Sequence, residues 1–260
     1  MAATFDPEVP SIARTYDYVL GGKDNFPVDR GIGDIFINKF PGAVQIALDN
    51  RACLVRAVSY MAGSLGIDQF LDLGSGLPTA SNVHQVAQRI NPLARVAYVD
   101  NDPQVLAHGR ALLAENASTL VIAADIRQPR QILTDHEVLD LIDFGRPVGI
   151  IASAVLHHIL DDECPLDVIR TVRDAVPAGS YLFISHFRTT GDTESTELEE
   201  VMREAFGRGQ WRTVEQITEY FGDMTLVEPG VAPCALWHPE SEPGPLTPWQ
   251  QLIAAGLAGK

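Results

Sequence analysis

Basic residues are scarce in this chain: 19 Lys and Arg stand against 34 Asp and Glu, a formal net charge of −15 over 260 residues. Nucleic-acid binding wants a clustered basic surface, so no polynucleotide partner is expected. Cysteine is scarcer still. Cys53, Cys164 and Cys234 lie far apart with no CxxC spacing, which fits neither a zinc site nor a disulfide framework and suits a reducing compartment. The first residues show no basic start followed by an apolar run, and no apolar segment approaches the length of a bilayer span. The expectation is a cytoplasmic protein without a membrane partner. HExxH, an EF-hand loop and tight His/Asp clusters are also missing, so no metal is expected. Asn116-Ala117-Ser118 matches the glycosylation pattern, but without a secretory signal it carries no weight.

What is present is enough apolar residue, 46%, to bury one full core, with helical extensions around it. From about Val44 to Leu65, apolar residues including Leu54, Val58, Met61 and Leu65 recur at helical spacing, and Gly66 stops them in the manner of a C-cap. A strict alternation follows. "FLDLGSG", "ARVAYVD", "TLVIAAD", "PVGIIASAVL" and "GSYLFISHF" read as five buried strands. Helices separate them, one starting at Asp102-Pro103 and running to about Glu115, another from Pro165 to Val176. Strands separated by helices imply right-handed crossovers and a parallel sheet covered on both faces. Beyond Phe187, two short helices are expected near Leu198–Phe206 and Thr213–Phe221, then a hairpin through Pro229-Gly230, then a short final helix. The division expected is a helical cap over 1–65 and a Rossmann-like core over 66–260, carrying a helical insertion at about 189–223 and the terminal hairpin.

Ligands of such sheets bind outside the carboxyl ends of the strands. Strand one ends in Asp72-Leu73-Gly74-Ser75-Gly76, strand two in Asp100-Asn101, strand three in Asp125-Ile126. Glycines let the backbone turn and a ligand approach. Asp100 is placed for two ribose hydroxyls, and Asp125 for the amine of an adenine flanked by Ile126. Each has a plainer reading as a turn or a helix cap; their joint occurrence on three consecutive strands points to a nucleoside. A dinucleotide loop would carry a small third residue where Thr79 stands. Asp72, two residues before the first glycine, suits a ligand bearing an ammonium and a sulfonium better than a pyrophosphate. That favours S-adenosylmethionine over NAD.

"FLDLGSGLPT", "AYVDND", "AAD" and "IIASAVLHHI" resemble the successive motifs of class I S-adenosylmethionine-dependent methyltransferases. "SIARTYDYVLGGKDNFPVDR" together with "DLGSGLPT" resembles, more specifically, an actinobacterial S-adenosyl methyltransferase family, over nearly the whole chain. The resemblance implies the seven-stranded methyltransferase sheet with helices on both faces, an N-terminal helical lid and bound cofactor, but no particular acceptor.

Gly22-Lys23 is not a Walker loop, because Asp17 replaces its first glycine and Asp24 follows the lysine. Two readings remain for "DYVLGGKDNF". It is a turn between helices, or a lid in which Tyr16, Tyr18, Gly22, Lys23 and Asn25, with Arg14 as a further candidate, clamp the cofactor carboxylate. Should the acceptor have to lose a proton, His157 is the first candidate base, ahead of His158 and His186; each is also open to a structural role. Ser153 is expected to line the cofactor, there being no G-x-S-x-G elbow. Trp211 is either a pocket residue or packing. The leading expectation is a methyltransferase with a small-molecule acceptor; a non-catalytic S-adenosylmethionine-binding sensor or partner subunit is the alternative.

Overall fold

The computed structural model describes residues 6–79, 81–112, 117–241 and 244–260. The expected helix end at Glu115 and the Asn116 acceptor position lie outside them. Two short helices, α1 (Ile12–Val19) and α2 (Pro27–Lys39), precede the long α3 (Ala43–Gly63). On α3 the buried positions Ile46, Ala47, Asn50, Cys53, Leu54, Ala57, Val58, Met61 and Ala62 form one stripe, the spacing of a helix laid on a sheet. Gly66, at φ +70, reverses the chain after it.

The alternating core follows: β1 (Gln69–Leu73), α4 (Val83–Ile90), β2 (Arg95–Asp100), α5 (Pro103–Leu112), β3 (Thr119–Ala123), α6 (Pro129–Leu133), α7 (His136–Leu141), β4 (Gly149–Ser153), α8 (Pro165–Asp174) and β5 (Tyr181–Phe187). These five strands are parallel, in the order β3-β2-β1-β4-β5. The order reverses between β1 and β4, which places the switch point, and hence the ligand crevice, at their carboxyl ends. Alternate residues feed two cores. Phe70, Val96, Tyr98, Ile151 and Phe183 meet α3 and α4 on one face. Leu71, Ala97, Val99, Ile150 and Ile184 meet α8 and its neighbours on the other.

After α9 (Thr193–Phe206) and α10 (Val214–Glu219) the chain departs from expectation. The short β6 (Thr225–Leu226) and β7 (Ala232–Pro233) do not close a hairpin; both pair antiparallel with β8 (Ile253–Gly259). β8 stands where a final helix was expected and runs antiparallel along all of β5. Among the described residues the sheet therefore has eight strands, β7 being a two-residue addition beside the path β3-β2-β1-β4-β5-β8-β6. "IAAGLAG" is helix-prone by composition, but its small residues are needed here. A Cβ on Gly259 would stand 2.8 Å from the Tyr181 ring, and one on Gly256 3.0 Å from that of Phe221. Among the described residues no helix is long and apolar enough to cross a membrane.

Candidate functional site

A cavity of about 780 Å³ opens over the carboxyl ends of β1 to β5, roofed by α1 and bordered by α9. Its floor is the turn after β1. Gly74 and Gly76 have φ of +71° and +66°, and a Cβ on Gly74 would run into Val155; the turn therefore demands glycine. The backbone N–H of Gly76 donates to Asp100 Oδ2 (2.9 Å), and that of Asp102 to Asp100 Oδ1 (2.9 Å). Burial pushes the Asp100 carboxyl above its ordinary range, partly offset by these donors.

Asp72 is buried in the same wall, and its pKa is raised to about 7, chiefly by desolvation. Arg51 of α3 acts in the opposite sense and Asp100 reinforces the rise. Arg51 lines the cavity too, its guanidinium donating to the Ser81 carbonyl (3.1 Å). Two buried hydroxyls on the lining, Ser75 Oγ and Thr15 Oγ1, have no hydrogen-bond partner among the described residues, the condition expected of groups that meet a polar ligand.

Asp125 and Ile126 line the cavity at the end of β3. The Asp125 carboxylate is clasped by Arg127, whose Nη2 donates to Oδ2 (2.6 Å) and whose backbone N–H donates to Oδ1 (2.9 Å). Burial would raise the Asp125 pKa, but these bonds hold it below the ordinary range. Arg127 Nη1 also reaches Glu163 (2.5 Å), tying the β3 end to the segment before α8. Asn101 and Ser153 lie on the lining as expected.

A polar chain crosses the cavity wall. The Tyr16 hydroxyl donates to the Ala47 carbonyl (3.1 Å) and accepts from Asn50 Nδ2 (3.1 Å). Asn50 Oδ1 accepts from Ser185 Oγ (2.6 Å), and Ser185 Oγ lies 3.1 Å from Ser153 Oγ. The parallel register sets Ser153 beside Ser185. Asn50, Arg51, Thr15 and Ser185 were missed by sequence reasoning. One signal was available, since Asn50 is a polar residue on the apolar stripe of α3.

The opening turn is a different matter. Tyr18, Gly22, Lys23 and Asn25 are not brought to the cavity lining. The Tyr18 hydroxyl donates to Asp34 (2.7 Å), and Lys23 is exposed. The buried Asp17 carboxylate organises the turn, accepting from the Asp24 N–H (2.9 Å) and Asn25 Nδ2 (2.9 Å). A Cβ on Gly22 would collide with that carboxylate. "DYVLGGKDNF" is thus a turn between α1 and α2, and these four residues stand off the cavity lining, where the clamp reading would have put them. Arg14 is committed elsewhere, in a buried ion pair with Asp29 (2.7 Å).

His157 and His158 follow β4 in a single 3-10 turn, and both line the cavity. His157 is only 1% exposed, while His158 keeps more of its surface. Their rings are 4.2 Å apart, and Nδ1 of each is buried without a partner. Burial drives the His157 pKa well down and that of His158 to about 3, with Arg208 adding to the latter. His186 does not line the cavity; its Nε2 faces Arg212 (3.0 Å). Trp211 stacks on Phe187 (4.8 Å, 8°) behind the lining and is packing.

The family model described as S-adenosyl methyltransferase matches residues 1–260. A Thermobifida fusca protein, provisionally described as a methyltransferase, is similar in structure with a TM-score of 0.94 and 48% identity, over 97% of this chain and 96% of that one. A DUF574 family protein from Streptomyces avermitilis gives 0.94 at 34% identity, over 98% and 99%. An O-methyltransferase family protein from Burkholderia thailandensis, at 0.53 and 14% identity over 85% and 61%, shares the fold alone. No curated protein matches the chain.

Proposed function

The chain belongs to the S-adenosyl methyltransferase family and is an S-adenosylmethionine-dependent methyltransferase; we propose that its cavity holds the cofactor along the strand ends and a small-molecule acceptor among the helices. Bound S-adenosylmethionine supplies a methyl group on a positively charged sulfur, which leaves the protein to orient an acceptor and exclude water.

In this reading the Asp100 carboxylate, fixed by two backbone donors, accepts from the ribose hydroxyls. Ile126 and Asn101 flank the adenine, and Asp125 stands beside its amine, reaching it by exchanging one of its contacts with Arg127. Asp72 faces the ammonium of the amino-acid end. Arg51 takes over the carboxylate role first expected of Lys23. The backbone of Gly74 to Gly76 and the hydroxyls of Ser75 and Thr15 complete the shell, with Ser153 beside it. One observation carries the assignment: two buried, unpartnered hydroxyls sit on the same cavity as Asp72, Asp100 and the glycine turn.

Residues 1–65 act as a cap and 66–260 as the core, with acceptor choice residing in the insertion at about 189–223. Leu198, Met202, Ala205 and Phe206 of α9 on the cavity lining support that division of labour. Cys53, Cys164 and Cys234 are all free thiols, which supports a reducing, cytoplasmic setting.

The test is calorimetric titration with S-adenosylmethionine, S-adenosylhomocysteine and NAD, repeated on Asp100→Ala. Micromolar binding of both sulfur nucleosides, lost in the variant, is expected. Preference for NAD, or unchanged binding in Asp100→Ala, would overturn these placements.

A further inference from the structure

The cavity is chemically divided. Every carboxylate on its lining, from Asp72, Asp100, Asp102 and Asp125, lies at or just after the ends of β1 to β3. Beyond β4 and β5 the lining is apolar and partly aromatic, with Phe36, Phe187, Leu198, Met202 and Phe206. The Phe36 and Phe206 rings are near-parallel (6.5 Å, 12°), and Phe187 is backed by the Trp211 indole. Rings and a thioether favour a flat, polarisable guest. The charge at this end is Arg208, which donates to the His158 carbonyl (2.9 Å) and faces Glu163 (3.5 Å). Among the described residues a cationic amine would find no carboxylate of its own here, and it would lose hydration on entry.

We propose that the acceptor is an uncharged hydroxylated aromatic molecule, seated on Phe187, Met202 and Phe206 with its O–H directed at His158. This rests on the cofactor placement above. His158 is the better placed of the two imidazoles because His157, 4.2 Å away ring to ring, is almost wholly covered while His158 keeps part of its surface. A ring kept neutral by burial offers a lone pair to a hydroxyl rather than repelling it. In the reaction an oxygen lone pair forms the new C–O bond and the methyl–sulfur bond breaks, its pair staying on sulfur. As the C–O bond forms the oxygen becomes oxonium-like and strongly acidic, so its proton passes to the weakly basic His158 and then to solvent.

The experiment uses the full chain saturated with S-adenosylhomocysteine and titrates three probes of similar size: 2-naphthol, 2-naphthoate and naphthylmethylammonium. Calorimetry is expected to rank naphthol first by at least about tenfold. With S-adenosylmethionine, mass spectrometry should then detect 2-methoxynaphthalene. His158→Gln should lower kcat by about a hundredfold, the scale of a lost proton acceptor, while KM stays within about twofold. His157→Gln, which keeps a polar ring-sized group beside it, should cost less. Tighter binding of the cation or the carboxylate overturns the acceptor class, and so does failure of all three to bind. Naphthol binding without product overturns the placement of the hydroxyl. Failure of S-adenosylhomocysteine itself to bind would instead sink the cofactor placement.

Discussion

Ser11 Oγ donates to Asp102 Oδ2 at 2.6 Å, linking the N-cap of α1 to the turn that follows β2. Its backbone N–H donates to Asp29 (2.9 Å), so one residue is tied to both α2 and the sheet. Around it, Arg14 Nη1 meets Gln104 (3.5 Å) and His108 meets Asp24 (3.4 Å). The N-terminal segment is therefore fastened to the start of α5, close to Asp100.

Loosening that fastening should cost cofactor binding more than global stability. Ser11→Ala removes a hydrogen bond to a charged acceptor, and we expect about tenfold weaker S-adenosylhomocysteine binding. Hydrogen exchange in α1 should rise while the amides of β1 and β2 keep their protection. Unchanged affinity with unchanged exchange would show that the cap does not depend on this contact.

Asp72 gives a pH dependence of definite sign. With its pKa raised to about 7, the carboxyl is mostly protonated at pH 6 before an ammonium arrives and ionised afterwards. Binding then releases a proton, and affinity should fall by up to about tenfold per unit below pH 7. For the folded protein alone the sign is reversed. The native state holds this proton more tightly than the unfolded chain, so Asp72 removes stability as pH rises from 3.8 to about 7. Calorimetry at pH 6 in buffers of different ionisation enthalpy measures the released proton, and Asp72→Asn should abolish it.

The histidines act in the other direction. His158 and His186 have pKa values lowered from 6.5 to about 3, mainly by burial. The unfolded chain takes up these protons first, so stability falls as pH drops from 6.5. Urea unfolding at pH 7 and at pH 4.5 should show a large loss on acidification. His158→Gln should lessen that loss by the contribution of about one proton. Equal pH slopes for the variant and the parent would mean that His158 titrates normally.

Arg14 and Asp29 are both buried, and the Asp29 carboxylate also accepts the N–H groups of Ser11 and Phe26 (2.9 Å each). Removing one partner strands the other, so Asp29→Ala should destabilise by about 3–5 kcal/mol and melt the cap first. Lys23→Ala, at an exposed position outside the cavity, should change cofactor affinity by no more than about twofold. Thermal melts and the same titrations distinguish the two.

The parallel half of the sheet was legible because each strand is a short apolar run, and β1 to β4 close at Gly74, Asp100, Asp125 and Ser153, all on the cavity lining. The distal half was not. β8 is made of alanine and glycine, whose propensities favour helix or turn, and only the Tyr181 and Phe221 rings lying over it explain the choice. The cavity wall was readable at Asp72, Gly74, Gly76 and Asp100. The cap contribution was not, because Lys23 and Asn25 look like ligand groups in one dimension. Only the fold reveals that Asp17 already occupies Asn25 and that Asn50 and Arg51, two turns into α3, reach the cavity instead.

The position of β8 has a consequence for how the chain is made. It is synthesised after every strand it joins, yet it lies between β5 and β6 and also carries β7. Until it emerges from the ribosome, β5 must present a bare edge of unpaired backbone groups, the feature most open to pairing with another nascent chain. Completion of the sheet is thus a late, long-range event. Slowed translation or loss of Ile253–Gly259 should be felt first as aggregation along β5, and the loss would also take Ile253 from the cavity lining.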